Sequence, residues 1–479
     1  MGSTVAHRRD RTYVAGQWRD TDAAIAVTDL TTGSTFAEIA AADPGVARTA
    51  LAAAKGVEPT LRQTSVVERA EWCESIARGI DARAEELADV IVREAGKPIG
   101  SARGEVDAAA ERFRRAAEEA RLIASRGEFR EGSTDGHEGW RAIVKREPIG
   151  TVLCITPYNY PLATIALQVA PALATGNAVV LKPASQTPVS ATILAEIVST
   201  VDGIPPGAFN VVTGRAREIG DVLSGDDRVD AIAMTGSTGA GKHVARESGM
   251  VNLHMELGGN APAIVFSDAD LDDVAGNCAK GSFKYAGQRC SAVSRVLVEE
   301  SVHDAVVEKL DDELATWRAG DLFSPDTQLG PLISESQAEW VEELVEDAVE
   351  RGATLVRGGE RDGRFFEPTL LASVPHDARI VHEEQFGPVI PVVAFEDESE
   401  ALSLANGGDL GLDAAVFTNT YDRAMRMATH IEAGGVRING APSHGLGDIP
   451  FGGVKDSGIG REGLGVTIES FTQTKSIIL

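Results

Sequence analysis

One cysteine, Cys290, stands in a short run of residues whose types suit nucleophilic chemistry. The run 283–291 separates a predicted helix from a predicted strand at 295–298, and such a junction can present a sulfur at a cleft. Gly287 lets backbone approach closely, and Arg289 places positive charge beside the thiol, which is expected to favour the nucleophilic thiolate. The alternative for a lone cysteine is an inert, buried thiol beside a surface arginine.

Glu256 and Asn159 are candidates for the proton transfer and charge stabilisation that such a nucleophile needs. Glu256 ends an apolar predicted strand and precedes Gly258 and Gly259. An unpaired carboxylate there is costly unless solvent or chemistry uses it. Asn159 lies between two tyrosines and before Pro161, so it either forms a turn or aims its amide at an oxyanion.

A glycine-rich segment, GSTGAGK at 236–242, follows another predicted strand. It nearly matches a phosphate-binding P-loop, but His243 stands where that motif needs Ser or Thr to hold Mg²⁺, so an NTPase is disfavoured. A strand followed by a glycine-rich helix start still suits a nucleotide phosphate, because its free N–H groups and dipole favour anions. Gly236 and Ser237 are the candidate cofactor residues.

Lys182 and Ser185 follow a further predicted strand and can hold a ribose, although lysines without such a role are commoner. From Ile149 onward, short apolar strands alternate with helices, which is typical of βαβ units. The predicted strands are 150–155, 178–181, 209–212, 231–234 and 253–256. Because parallel sheets bind ligands outside the carboxyl ends of their strands, where the unusual residues lie, the sequence predicts an α/β protein with its site at that edge.

Other segments frame this sheet. Ser65 and Glu68 are spaced as a capping box, which predicts the start of a helix that runs to about Glu94. The remaining predictions are short strands within 1–60, a helix over 101–125, a polar excursion over 127–146, a second α/β run over 263–439 with an acidic helix at 339–351 and a strand at 389–395, and a strand-like tail at 471–479.

Length and composition limit the classes of protein. A chain of 479 residues is expected to form two or three domains. Its net charge of −27 argues against a large nucleic-acid footprint. With 10 lysines among the 45 cations, the composition favours a halophile over the alternative, an acidic enzyme from a GC-rich genome.

No apolar run predicts a membrane span or signal core. Four cysteines without zinc spacing predict reduced thiols and no metal site, in a cytoplasmic protein.

Seven ordered stretches together resemble the aldehyde dehydrogenase superfamily along essentially the whole chain. They are PYNYP (157–161), LKPAS (181–185), TGSTGAGK (235–242), MELGG (255–259), GQRC (287–290), EEQFGPV (383–389) and PFGGVKDSGIGRE (450–462). The resemblance implies an α/β fold with a Rossmann-like cofactor domain, an α/β catalytic domain and a small β oligomerisation flap. The implied boundaries are 1–125 with 147–256, then 257–456, and 126–146 with 457–479 for the flap.

The resemblance also implies a mechanism and a set of roles. Cys290 attacks an aldehyde to give a thiohemiacetal, and Asn159 with the backbone N–H of Cys290 stabilises the oxyanion. Hydride transfer to NAD or NADP leaves a thioester, which Glu256 hydrolyses by activating water. Lys182 and Glu384 resemble ribose-binding residues and Phe386 a nicotinamide-site residue. Homodimers or homotetramers form through the flap.

Two residues on the cofactor side of the site, Gln168 and Ser185, differ from the residues that many family members have. Gln168 stands where many members have a lysine, which puts proton relay through that lysine in doubt. Ser185 stands where NAD-preferring members often carry a glutamate; Ser185 can donate to a 2′-phosphate, with Lys182 and Arg215 as cationic neighbours. NADP acceptance is therefore expected.

The run around Arg289 looks most like the branch of non-phosphorylating glyceraldehyde-3-phosphate and lactaldehyde dehydrogenases. Arg289 and Tyr160 match phosphate-contacting positions, whereas His444 replaces a second arginine and Ala108 a third. The expected substrate is a small hydroxylated or anionic aldehyde, such as glyceraldehyde 3-phosphate, lactaldehyde or a semialdehyde. The alternative for Arg289 is a purely structural ion pair. The alternatives for the chain are a CoA-acylating enzyme, against which Glu256 argues, and a non-catalytic binding or structural member.

Overall fold

A computed structural model describes most of the chain. The residues described are 7–9, 11–124, 127–447 and 449–479. Three predictions fall outside them, namely the lack of a signal core at 1–6, the helix end at Ser125 and the first residue of the flap, 126. None of the helices in the described part of the chain combines the length and apolar character of a membrane span.

Helices occur throughout the described residues. They are α1 (Pro44–Leu61), α2 (Val66–Ala82), α3 (Ala84–Ala95), α4 (Ile99–Ala124), α5 (Ala163–Ala174), α6 (Val189–Ser199), α7 (Ala216–Ser224), α8 (Thr238–Glu247), α9 (Leu271–Phe283), α10 (His303–Leu314), α11 (Glu335–Glu350), α12 (Arg379–His382), α13 (Glu398–Asn406), α14 (Tyr421–His430) and α15 (Leu464–Ser470).

The strands alternate with these helices over much of the chain. They are β1 (His7–Arg9), β2 (Arg11–Val14), β3 (Gln17–Asp20), β4 (Ala23–Thr28), β5 (Thr35–Ala41), β6 (Glu128–Glu131), β7 (Arg141–Pro148), β8 (Thr151–Ile155), β9 (Ala178–Lys182), β10 (Phe209–Val211), β11 (Ala231–Thr235), β12 (Asn252–Glu256), β13 (Ala261–Val265), β14 (Val293–Glu299), β15 (Thr354–Arg357), β16 (Arg361–Asp362), β17 (Phe365–Phe366), β18 (Thr369–Ala372), β19 (Val389–Phe395), β20 (Leu410–Gly411), β21 (Asp413–Phe417), β22 (Gly435–Ile438), β23 (Val454–Lys455), β24 (Gly458–Ile459) and β25 (Thr472–Ile478).

Two large sheets form the body of the protein. The first has the order β24-β12-β11-β8-β9-β10-β2-β3, and β8 to β12 are parallel within it. The second has the order β15-β18-β19-β14-β13-β21-β22, parallel except for β15. Strands such as β9 and β13 are buried along their whole length because helices cover both faces. The predicted parallel α/β architecture is confirmed.

A third sheet is small and antiparallel, in the order β25-β7-β6. The C-terminal strand β25 pairs with β7 over seven residues, from Thr472 opposite Pro148 to Ile478 opposite Ala142. Strands from the polar excursion at 127–146 and from the C-terminal tail therefore form one small sheet, whereas β24, within the predicted flap segment 457–479, pairs with β12 of the first sheet.

The first sixty residues contain more structure than predicted. Asp43 caps the start of helix α1, because its carboxylate accepts the N–H of Val46, and Pro44 follows at the first helical position. An Asp-Pro pair of this kind predicts the start of a helix. The predicted single helix up to Glu94 is wrong in one respect, since Arg83 leaves the helical region (φ −116°, ψ 22°) and separates α2 from α3. Hydrophobic periodicity alone does not reveal such a kink.

Candidate active site

The site lies where the two large sheets are joined. Glu256 is the last residue of β12, and only four residues separate it from β13, the first strand of the second sheet. The carboxyl edge of the first sheet therefore meets the amino edge of the second. Cys290 comes three residues before β14, at that same amino edge. The chain connection itself brings the predicted base and nucleophile together.

The backbone before Cys290 is strained. Tyr285, Ala286 and Gly287 have consecutive positive φ values of 58°, 51° and 73° in a short 3₁₀ turn. Left-handed backbone is unfavourable for residues with a Cβ and persists only where the surroundings hold it. At Gly287 a Cβ would lie 2.1 Å from the carbonyl oxygen of Gly387, so only glycine fits. This turn aims the cysteine loop toward the cleft.

Hydrogen bonds fix this loop from three sides. The Tyr285 hydroxyl donates to the Ala95 carbonyl at 2.6 Å. The side-chain oxygen of Gln288 accepts the N–H of Ile333 at 2.9 Å. The Asn159 amide donates to the Gln288 carbonyl at 2.8 Å. Asn159 is thus buried beside the cysteine loop with one N–H still available.

The charge state of Cys290 differs from the prediction. Arg289 does act to lower the pKa of the thiol, but burial and the Glu256 carboxylate outweigh it and raise that pKa well above its ordinary value. The resting nucleophile is therefore a thiol. Cys290 is nevertheless only partly buried, whereas Cys73 and Cys278 are fully buried, and burial is the main cause that raises the pKa of each of these two thiols to about 12.

Glu256 shares its surroundings with a second carboxylate that the sequence analysis did not single out. Burial, followed by the charge of Glu462, raises the pKa of Glu256 well above its ordinary value. Burial also raises the pKa of Glu462 to about 7, against the effect of Arg112. Thr235 donates to Glu462 at 3.3 Å, and Gln168 donates to Thr235 at 3.1 Å. The amide of Gln168 thus occupies a hydrogen-bonded position next to these acids.

A cavity of about 550 Å³ opens beside Cys290. All six predicted catalytic and substrate residues line it, namely Cys290, Glu256, Asn159, Arg289, Tyr160 and His444. Ala108 lines it too, but so does Arg112, one turn further along α4. The loss of positive charge inferred at 108 is therefore offset by Arg112. Arg112 follows Ala108 by four positions in a predicted helix, so both side chains lie on one face, and this spacing was enough to predict Arg112 as a site residue.

The cations of the cavity are not equivalent. Lys97 pairs with Glu105 at 2.5 Å and lies 3.5 Å from the centre of the Tyr160 ring. Arg112 donates to the Ala163 carbonyl at 2.7 Å.

Arg289 has long contacts only, to the Gly281 carbonyl at 3.5 Å and the Ser291 hydroxyl at 3.4 Å. Among the described residues no carboxylate lies within ion-pair distance of Arg289, so the structural ion pair considered for it is absent there. Lys284, an exposed residue, adds a further positive charge to the cavity lining.

His444 is held by an acid. Its Nε2 lies 2.7 Å from Oδ1 of Asp413, a residue that is buried at the start of β21. The imidazole also packs on Phe451, with ring centres 4.4 Å apart. Its Nδ1 atom is buried and has no hydrogen-bond partner among the described residues. Asp413 was not predicted as a site residue, because an aspartate at the start of a strand carries no recognisable motif.

The predicted cofactor residues lie at the carboxyl edge of the first sheet. Lys182 ends β9, and burial lowers the pKa of its amine to about 8. Among the described residues its amine donates one hydrogen bond, to the Pro183 carbonyl at 3.1 Å. Ser185 donates to the Gly214 carbonyl at 2.9 Å, which places it beside the exposed Arg215. Ser185 and Arg215 thus share one edge, as the prediction about a 2′-phosphate requires.

The glycine-rich segment before α8 contacts the end of β12, the neighbouring strand in the first sheet. Gly236 donates its N–H to the Glu256 carbonyl at 3.1 Å, and Ser237 caps α8. Strands β8 and β11 are neighbours although they are not consecutive, so the sheet reverses its order between them. Such a switch point, with a helix start beside it, is where open α/β sheets bind nucleotides.

Glu384 and Phe386 approach this edge from the second sheet. Glu384 accepts the N–H of Gly259 at 2.8 Å, and burial raises the pKa of its carboxyl to about 7. Phe386 has a positive φ of 49° and meets the Tyr158 ring edge to face, with centres 6.0 Å apart. Both residues therefore lie between the cofactor edge and the catalytic loop.

Known proteins resemble this chain along nearly its whole length. Residues 18–477 match the Aldehyde dehydrogenase family. The chain is 38% identical to an NADP-dependent glyceraldehyde-3-phosphate dehydrogenase of Streptococcus equinus, over 98% of each chain. It is 38% identical to a 3-sulfolactaldehyde dehydrogenase of Priestia aryabhattai, over 98% of this chain and 97% of the other. The crystal structure of an NADP-dependent glyceraldehyde-3-phosphate dehydrogenase from Bacillus halodurans C-125 complexed with NADP has a TM-score of 0.96 at 36% identity, covering 98% of this chain and 99% of that one.

Proposed function

Because the chain belongs to the aldehyde dehydrogenase family, we propose that it oxidises a small anionic or hydroxylated aldehyde to the carboxylic acid with NADP or NAD. The observation that carries the proposal is the single cavity in which Cys290, Glu256 and Asn159 meet beside Arg289. A nucleophile, a base, an amide donor and a cation that forms no ion pair with the described residues are the groups that this reaction needs.

The order of events follows from the chemistry of these groups. Cys290 loses its proton and attacks the carbonyl carbon, which gives a thiohemiacetal. Asn159 stabilises the oxyanion with the N–H that Gln288 leaves free, together with the backbone N–H of Cys290. After hydride loss a thioester remains on Cys290. Glu256 then takes a proton from water, which attacks the thioester and releases the acid.

The nicotinamide cofactor supplies a hydride acceptor when it is bound. The residues present fit such a group, since the sheet reverses its order at the start of α8 and Lys182 has N–H groups beyond the one bond to Pro183. Lys182 and Glu384 would hold a ribose, Gly236 and Ser237 the diphosphate, and Phe386 the nicotinamide end.

Ser185 supports acceptance of NADP. A glutamate at that position would repel a 2′-phosphate, whereas a hydroxyl beside Arg215 can donate to it. The relative from Streptococcus equinus and the neighbour from Bacillus halodurans are both named as NADP-dependent. Replacing Ser185 with glutamate is expected to shift kcat/KM toward NAD⁺. A wild type with kcat/KM for NAD⁺ far above that for NADP⁺ would refute the preference.

Arg289 and Lys284 support an anionic substrate. Neither residue forms an ion pair with another described residue, and both line the cavity. Relatives named for glyceraldehyde 3-phosphate and for 3-sulfolactaldehyde act on aldehydes that carry both a hydroxyl and an anionic group. The experiment that tests the proposal is a panel of anionic, hydroxylated and long apolar aldehydes assayed separately with NAD⁺ and NADP⁺. A preference for long apolar aldehydes would contradict it.

The flap supports oligomer formation. Ile477 and Ile478 of β25 and Phe129 of β6 expose apolar surface on the small sheet. An open sheet edge with apolar side chains favours pairing with a second copy. A homodimer or homotetramer is proposed, with a cofactor domain and a catalytic domain centred on the two large sheets, in a cytoplasmic protein adapted to high salt.

A further inference from the structure

We infer that His444, oriented by Asp413, recognises a hydroxyl group of the substrate close to its aldehyde carbon. The inference rests on the proposed function and specifies its substrate class. It starts from the 2.7 Å contact between Nε2 of His444 and Oδ1 of Asp413 at the wall of the cavity that contains Cys290.

The contact with Asp413 decides which imidazole nitrogen can accept. An ionised carboxylate only accepts hydrogen bonds, so Nε2 of His444 carries the hydrogen in this contact. In the neutral ring Nδ1 is then an acceptor with a free lone pair. That atom is buried and has no partner among the described residues, which is costly unless a ligand supplies a donor. A hydroxyl group is the donor that a small aldehyde can offer.

The position of the pair favours recognition of substrate over a purely structural role. His444 lines the same cavity as Cys290 and Arg289. Asp413 is close enough for Arg289 to lower the pKa of its carboxyl, although burial raises that pKa overall. Arg289 and Lys284 can bind an anionic end of the substrate, and Nδ1 of His444 can accept a hydrogen bond from a hydroxyl. The class selected is therefore hydroxyaldehydes, with or without an anionic group, in preference to their deoxy counterparts.

The test compares lactaldehyde with propanal, two neutral aldehydes that differ by one hydroxyl, so that no anionic group of the substrate enters the comparison. The wild type is expected to favour lactaldehyde in kcat/KM by about tenfold or more. His444→Gln places an amide nitrogen near the position of Nε2 and retains a donor to Asp413 but no acceptor at Nδ1. This variant is expected to bring the ratio to about one.

Two further variants separate recognition from loss of structure. His444→Asn keeps an acceptor near the position of Nδ1 and is expected to retain part of the preference. Asp413→Asn no longer fixes the tautomer, so the ratio should fall while propanal is still oxidised. As a matched control, His243 contacts Asp221 at 2.8 Å in a similar pair on the surface, and His243→Gln should leave the ratio unchanged.

Several outcomes would overturn the inference. One is a wild type that does not distinguish lactaldehyde from propanal, and another is a His444→Gln variant with the wild-type ratio. If His444→Gln instead weakens succinate semialdehyde relative to butanal, a protonated His444 binds an anion and the hydroxyl assignment is wrong. Continued oxidation of propanal in any of these cases leaves the proposed aldehyde dehydrogenase activity intact.

Discussion

The side-chain amide of Asn159 donates a 2.8 Å hydrogen bond to the backbone carbonyl of Gln288, two residues before Cys290. This bond ties the loop after β8 in the first sheet to the cysteine loop that precedes β14 in the second. It uses one N–H of the amide and fixes the direction of the other. Asn159 therefore both holds the cysteine loop in position and directs an N–H that can stabilise an oxyanion.

Asn159→Ala is expected to lower kcat by about 10²–10³-fold, the usual effect of losing an oxyanion donor. Steady-state kinetics with a saturating aldehyde measures this, and cofactor binding measured by fluorescence titration should change little. Asn159→Asp is the matched variant, because it keeps the size of the side chain while its carboxylate repels an oxyanion. A kcat near that of the wild type in both variants would exclude Asn159 from the reaction.

The reactivity of Cys290 toward iodoacetamide is expected to rise steeply with pH. Burial and Glu256 raise the pKa of the thiol, so the reactive thiolate is scarce at neutral pH and forms as pH increases. Glu256→Gln removes the carboxyl group that helps to raise the pKa of the thiol and should move the profile to lower pH. Arg289→Leu removes a positive charge and should move it to higher pH. Peptide mass spectrometry distinguishes Cys290 from the buried cysteines; shifts in the opposite directions would contradict this electrostatic assignment.

Arg289→Leu should raise KM for an anionic aldehyde such as succinate semialdehyde by about 10- to 100-fold, because a charge-assisted hydrogen bond is lost. KM for butanal, which has the same chain length without the charge, is expected to change much less. Arg437→Leu serves as a control, since Arg437 does not line the cavity. An equal increase in KM for both aldehydes would show that Arg289 does not recognise the negative charge of the substrate.

Part of the candidate site could be predicted from the sequence because two of its residues, Glu256 and Lys182, lie at the ends of strands. Glu256 ends β12 and Lys182 ends β9, and the polar residue that follows a short apolar run marks such an end. The predicted strand at 389–395 matches β19 residue for residue. The capping box of Ser65 and Glu68 is also confirmed, since it depends on local spacing alone.

Contacts between residues far apart in the sequence could not be predicted from the sequence. The sequence places Asp413 and His444 thirty-one positions apart, and nothing local indicates that the fold joins them. The pKa of Cys290 was predicted in the wrong direction for a related reason. Arg289 is a sequence neighbour, whereas burial and the approach of Glu256 arise only from tertiary packing.

Thermal stability is expected to rise with KCl into the molar range. The net charge of −27 implies repulsion among surface carboxylates, which added salt screens. Differential scanning calorimetry in low and in 2 M KCl measures this, and choline chloride distinguishes general screening from a specific effect of potassium. Identical Tm values in low and high salt would remove the case for adaptation to high salt.

The most direct test of the proposed mechanism is the intact mass of the Glu256→Gln variant after mixing with NADP⁺ and an aldehyde that the wild type oxidises. Hydride transfer precedes the step that needs the base, so the acyl group should accumulate on Cys290 with one equivalent of NADPH. The same mixture with Cys290→Ala should show neither product. An unmodified Cys290 in a Glu256→Gln variant that turns over rapidly, or NADPH formation by Cys290→Ala, would contradict the mechanism.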